Sequence, residues 1–203
     1  MNPRIFLLLA ASLLMATNVY AGKVGPDVDV SDFDIAGLKT GMDLEEARQI
    51  AAKRLNVPLA EMKKGYEIFE HPVTHAKLSS VFTYRTNNLR IEVGFVIRVP
   101  FDNKRPLALD NVIYEVTGTD QNKAAMKKAA LDKYGTPTKE EGNNLDWCVL
   151  EPDKSTKDRS MWMCDNDFPM IKLWSERLFL HDYRWKKALR QFEEDRKTTK
   201  PNF

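Results

Sequence analysis

Two cysteines, three histidines and four tryptophans are the side chains best able to react with or anchor a ligand in this chain of 203 residues. Cys148 and Cys164 are the only thiols. They sit in strand-like segments, Asp146 to Leu150 and Ser160 to Cys164, separated by a polar, Pro-containing link. If that link is a hairpin, the two sulfurs lie across from each other. A bridge closing a loop of this size stabilises by roughly 3 kcal/mol on the chain-entropy model. A redox pair or a metal site would be the alternatives. The chain has no Cys-x-x-Cys and no neighbouring pair of histidines to complete a zinc shell, so a structural disulfide is expected.

The histidines offer less. His71 and His75 are four apart, but Pro72 between them argues for a loop, and exposed loop histidines are expected there. His181-Asp182 could orient an imidazole for base work. At a strand-to-helix junction, Asp182 more naturally caps the following helix. Glu45-Glu46 and Glu140-Glu141 fall at helix starts or in turns, where carboxylates are solvated. No Gly-x-Ser-x-Gly, Gly-rich phosphate loop or His-Glu-x-x-His occurs. Neither a cofactor nor a metal ligand set is implied.

The aromatic residues carry a stronger suggestion. Trp147, Trp162, Trp174 and Tyr84 fall in expected strands. Large apolar side chains occupy both faces of the cysteine hairpin, with Trp147 opposite to Cys148, and Met161 and Met163 opposite to Trp162 and Cys164. One reading buries one face under helices and the other under the C-terminal segment. A sharper reading leaves some of Trp147, Met161, Met163 and Trp174 as an exposed patch for a partner, since Trp and Met are enriched at interface centres. In the first half, Arg90, Glu92 and Arg98, with Thr83 and Arg85, form a polar strand face that could be read by a protein.

Periodicity supplies the elements that must hold these residues. Asp43 with Glu46 three residues on has capping-box spacing, and Leu44, Ala47, Ile50, Ala51 and Leu55 recur at helical intervals. Strands are expected at Tyr66 to Glu70, Lys77 to Arg85, Leu89 to Val99 and Asp110 to Thr117. The third alternates through Leu89, Ile91, Val93, Phe95, Ile97 and Val99. Asp120 can cap a second helix through Tyr134, stopped by Gly135-Thr136-Pro137. Strands follow at Leu145–Leu150, Arg159–Cys164 and Met170–His181, then a charged amphipathic helix over Asp182 to Lys197.

Residues 1–21 read as a signal peptide. Arg4 is the positive start, Ile5 to Ala16 an apolar run broken only by Ser12, and Ala21 a small residue suited to cleavage. That run falls well short of the ~20 residues that span a bilayer, so no transmembrane anchor is expected after cleavage. Gly22 at the new start lacks the thiol of a lipoprotein. A disulfide fits this address, most simply a bacterial periplasm. Loss of Arg4 with the leader takes the net charge from +2 to +1, with acids and bases interspersed. That balance excludes a nucleic-acid binder held by an unopposed positive field.

Aligning Pro58 with Pro137 superposes the first two helices without a gap, at an offset of 79 residues. The expected units are a leader at 22–32, helix-plus-sheet repeats at 33–118 and 119–181, and a helix and tail at 182–203. At Ile35 to Ala47 an apolar residue, Gly, a short gap, Gly-Met and a capped helix follow in order. This opening resembles the beta-lactamase-inhibitor-protein-like fold of small exported bacterial proteins. The second unit carries Thr117-Gly118-Thr119-Asp120 where the first has Gly-Met. The resemblance implies an α+β tandem of helix and antiparallel sheet whose members bind proteins and catalyse nothing. The expected function is a non-enzymatic periplasmic module that binds a protein or envelope component through the open sheet face. The alternatives are a hydrolase of envelope material with a scattered site, and a protein docked into an assembly by its C-terminal helix.

Overall fold

The computed structural model describes residues 30–66, 68–151 and 163–198. The expected signal peptide, most of the leader, Met161, Trp162 and the last five residues lie outside them. The described chain is α+β, with three α-helices and one large antiparallel sheet.

The chain enters through a small hairpin, β1 (Asp34–Ile35) and β2 (Leu38–Lys39), and then α1 (Leu44–Leu55). The capping box at Asp43 and Glu46 forms, and Asn56 closes the helix in the left-handed conformation. The Gly-Met step before α1 has a physical reason. Gly41 sits at φ +79°, and a Cβ there would lie 3.0 Å from the Trp185 ring. Its N–H donates to Leu109 O and Met42 O accepts from Leu109 N, so this step joins the sheet edgewise.

Next come β3 (Lys63–Lys64), a projecting hairpin of β4 (Ile68–Glu70) and β5 (Lys77–Ser79), then β6 (Val81–Arg85), β7 (Leu89–Ile97) and β8 (Leu107–Val116). The expected strand over Lys77 to Arg85 thus divides at Ser80, because β5 pairs with β4 and β6 with β7. Helix α2 (Asp120–Tyr134) follows, with Thr119 rather than Asp120 in the N-cap position. Then β9 (Lys139–Glu141) and β10 (Asn144–Trp147) return to the sheet. The expected strand over Leu145–Leu150 stops at Trp147. Beyond it, β11 (Leu150–Glu151) leaves the sheet to pair with β12 (Met163–Cys164). The sheet is completed by β13 (Met170–Trp174) and β14 (Arg177–His181), and α3 (Tyr183–Thr198) closes the chain.

The eight-stranded sheet runs β3-β6-β7-β8-β14-β13-β10-β9, so β8 and β14 meet at its middle and β3 and β9 are its outer strands. Side chains alternate across it. One side carries Phe82, Val93, Val112, Leu180, Ile171 and Trp147 in cross-strand register, all buried in the core that α1 and α2 cover. Asp110 is an extra residue in β8, where the register passes from Gly94–Asn111 to Phe95–Leu109. Beyond this bulge, Val96 and Ala108 point away from the core cluster and are buried all the same, where α3 packs against β7 and β8.

The Asp110 bulge also fixes α3. Asp182 N–H donates to Asp110 O, and Lys186 Nζ lies 2.7 Å from the buried Asp110 carboxylate. Asp182 accepts from Arg184 N and takes the Arg184 guanidinium through both carboxylate oxygens. Asp182 therefore caps the helix as its position suggested, and its carboxylate is not turned to His181. Further along α3, Phe192 packs edge-on against Phe101 and Arg196 donates to Pro72 O.

Cys148 and Cys164 are bonded, closing a sequence separation of 16. The bridge ties the β11–β12 hairpin to the end of β10. On the chain-entropy model, reducing the bridge should cost about 3 kcal/mol of stability. Guanidinium unfolding of the oxidised protein against a Cys148→Ala, Cys164→Ala double variant measures this directly. Equal midpoints would show the bridge to be energetically idle.

Candidate functional site

On the side of the sheet opposite α1 and α2, α3 packs over the bulged end of β7 and β8. The rest of that side carries polar and aromatic side chains in two cross-strand rows. One row runs Thr83, Glu92, Ile113, Phe179, Lys172, Asp146, Lys139. The other runs Arg85, Arg90, Glu115, Arg177, Trp174, and the pair Asn144–Glu141 continues it on β10 and β9. Both rows pass from one half of the sheet to the other through the β8–β14 seam.

In the first half this face is a charge ladder. Arg90 Nη2 lies 2.5 Å from Glu92 Oε2 and Arg90 Nη1 lies 3.5 Å from Glu115 Oε2. Arg177, from the other half, lies 3.2 Å from Glu115 Oε1. Glu115 is buried between these two guanidinium groups, which supply the opposite charge a buried carboxylate requires.

In the second half the face sinks into a cleft of about 330 Å³ over β9, β10, β13 and β14. Trp174 stands at its edge, 66% exposed. Phe179 and His181 form another wall. Their rings stack at 5.6 Å and 14°, and His181 stacks again on Tyr183 at 5.7 Å and 12°. This ladder arises from alternate positions at the end of β14 running into the first turn of α3. Lys139, Lys172, Asn144, Asp146 and Glu141 provide the polar lining.

Two groups in the cleft have displaced proton affinities. Burial pushes the Asp146 carboxyl above the ordinary carboxylate range, with Glu141 adding to this and Lys172 and Lys139 opposing it. Burial pushes His181 below its ordinary 6.5, reinforced by Lys172 and Lys186 and opposed by Asp110. His181 and Asp146 thus line one cavity, yet the imidazole is held by ring stacking rather than by an orienting carboxylate.

The residues singled out from sequence are not brought together. Arg90, Glu92 and Trp174 lie on the open face. Trp147 is on the opposite side, 2% exposed, with its indole N–H donating to Gly135 O and its ring 5.4 Å from Tyr134. Tyr84 also faces the core side, beside Ile91. Arg98 shares the parity of Arg90 and Glu92, but α3 crosses it. Its guanidinium donates to Gly41 O, Leu107 O and Arg105 O and stacks over Trp185 at 5.2 Å. Met163 is exposed on β12, which pairs with β11 and is not a strand of the eight-stranded sheet. His71, expected as an exposed loop residue, is buried. Its Nδ1 accepts from Val73 N and Thr74 N, and its ring packs 4.9 Å from Phe101, so it organises the β4–β5 turn. His75 is the exposed member of that pair, 2.7 Å from Glu70.

Asp146, Lys172, Lys139 and Phe179 line the cleft without any sequence motif that groups them, and they meet His181 there. In the single strand expected over Met170–His181, Trp174 and Phe179 would point to opposite sides. The chain instead turns at Ser175 (φ 57°) and Glu176, so Trp174 pairs with Arg177 and Lys172 with Phe179. The turn reverses the parity and places all four on one face. No family model, curated protein or solved structure matches the chain.

The lowered affinity of His181 has a defined sign. The fold favours the neutral ring, so this stabilisation is present above the ordinary histidine range and is lost as pH falls from about 6.5 through the folded-state value. Between pH 7 and pH 5 the urea midpoint of His181→Phe should therefore fall less than that of the parent protein. Equal slopes would remove His181 from the acid sensitivity of the fold.

Proposed function

We propose that the protein is an exported, non-enzymatic binding module that engages a protein or other component of the bacterial cell envelope through the open face of its sheet. One observation carries this reading: a row of side chains runs across seven strands of the face, and the charges at its centre are already paired. Arg90, Glu92, Glu115 and Arg177 are fixed by one another before any partner arrives. A pre-ordered surface loses little side-chain entropy on binding, and paired charges of both signs favour a complementary partner over others. Trp174 offers an exposed aromatic anchor beside them.

The export reading rests on residues 1–21 and is supported by the Cys148–Cys164 bridge, which persists in oxidising compartments. Among the described residues no helix is long and apolar enough to cross a membrane. We read the two halves as a tandem repeat of the beta-lactamase-inhibitor-protein-like kind. In support, α1 precedes β3, β6, β7 and β8, while α2 precedes β9, β10, β13 and β14, and each run of four contains one inserted hairpin. The order β3-β6-β7-β8 on one side of the seam mirrors β9-β10-β13-β14 on the other.

A photo-crosslinking residue at Ile113, in the middle of the open face, should give an adduct with an envelope component in intact cells. The same residue at Lys128, on the outer surface of α2, should not. The mature protein should begin at Gly22 when its N-terminus is sequenced. Adducts at Lys128 but not at Ile113 would place the partner surface elsewhere, and an N-terminus at Met1 would remove the export reading.

A further inference from the structure

We propose that the cleft over β9, β10, β13 and β14 is a saccharide site that receives a neutral, hydroxyl-rich sugar ring stacked on Trp174. This deepens the open-face reading and rests on it for the partner's identity, though the cleft can be tested alone.

The charges of the lining eliminate most ligands first. Lys139 and Lys172 bring two ammonium groups, and Asp146 and Glu141 bring two carboxylates. A phosphate or carboxylate seated on Lys172 would face Asp146 and Glu141. A guanidinium on Asp146 would sit against Lys172 and Lys139. An ionic ligand of either sign therefore meets its own sign in the same wall, and the repulsion offsets what it gains.

Asp146 then selects among neutral ligands. Its side chain is only 22% exposed, and Lys172 Nζ stands 3.9 Å from it, beyond hydrogen-bond reach. Cys164 Sγ is also 3.9 Å from Asp146 Oδ2, but a disulfide sulfur carries no proton to give. Among the described residues no other donor approaches this carboxylate. Covering it with an apolar group would leave the acceptor unsatisfied, which is unfavourable for a neutral group and more so for a charged one. The ligand must donate hydrogen bonds without carrying charge, and hydroxyl groups do so. Asn144 beside it both donates and accepts, matching the dual character of a hydroxyl.

The aromatic walls complete the selection. Aromatic ring faces carry negative quadrupoles, and Trp174, which lines the cleft, is largely uncovered. A pyranose has a face of weakly positive C–H groups and a rim of hydroxyls. It can lie on the indole while its rim reaches Asp146, Asn144 and Lys172. The volume of about 330 Å³ lies at the small end of ligand cavities, which suits one or two rings of a chain rather than a large cofactor.

The test is titration of the intact oxidised protein with chitotetraose, cellotetraose and maltotetraose, followed by calorimetry and by the Trp174 indole N–H resonance. At least one should bind saturably and shift that resonance. Trp174→Ala and Asp146→Asn should each weaken binding at least tenfold with the circular dichroism spectrum unchanged. Asp146→Asn keeps the shape of the side chain, so its loss reads the acceptor and not the fold. Three tetrasaccharides that leave the resonance unmoved up to solubility overturn the proposal, even where Ile113 crosslinks an envelope component. A shift produced by arginine amide and abolished in Asp146→Asn also overturns it, making the cleft a cation receptor. Saturable sugar binding lost in both variants upholds the site, even if Ile113 crosslinks nothing and the wider partner reading fails.

Discussion

Five residue pairs between β8 and β14, from Arg177 with Glu115 to His181 with Asn111, hold the molecule together as one sheet. Each run of four strands has its own helix and could bury one face against it. Neither run would then present the rows of side chains that cross the seam. The seam places Arg177 of the second half against Glu115 of the first, and Phe179 beside Ile113. It also makes one core from two, because Val112 and Leu180 are neighbours beneath it. These contacts join residues about 65 positions apart, so the chain must close a long loop before they reward it.

The two sides of the sheet are put to different uses by small departures from regularity. The extra residue at Asp110 shifts the register of β8 and supplies a backbone carbonyl and a buried carboxylate to the start of α3. That contact lets α3 cover the bulged end of the open side. The turn at Ser175 and Glu176 has the complementary effect, because it brings Trp174 and Phe179 to the same side. Cleft and cover are thus set by two local irregularities in otherwise ordinary strands.

What sequence can show follows from this division. The helices announced themselves through periodicity and caps: Asp43 with Glu46, Gly135, and Asp182 are all in place. The disulfide followed from count and spacing. Strand β7 was legible over Leu89 to Ile97 because it alternates cleanly. The Ser175 turn was not, since Trp-Ser-Glu-Arg contains no Gly, Pro or Asn and the positive φ falls on a serine. Trp147 and Tyr84 illustrate another limit. Alternation says which residues share a face and not which face meets the helices, and both went to the core. His71 looked like loop surface because only the fold brings Phe101 to it. The cleft depends on Lys139, Asp146, Lys172 and Phe179 standing abreast on four strands, a juxtaposition that registers and turns create.

The outer strands β3 and β9 are two and three residues long and carry Lys63, Lys64, Lys139, Glu140 and Glu141. A sheet of eight strands ends in two rows of unpaired backbone groups, each a template for another chain. Here those rows are too short to seat a foreign strand, and each is fringed with charge that would have to be desolvated. Short outer strands fringed with charge disfavour edge-to-edge pairing between copies of the sheet.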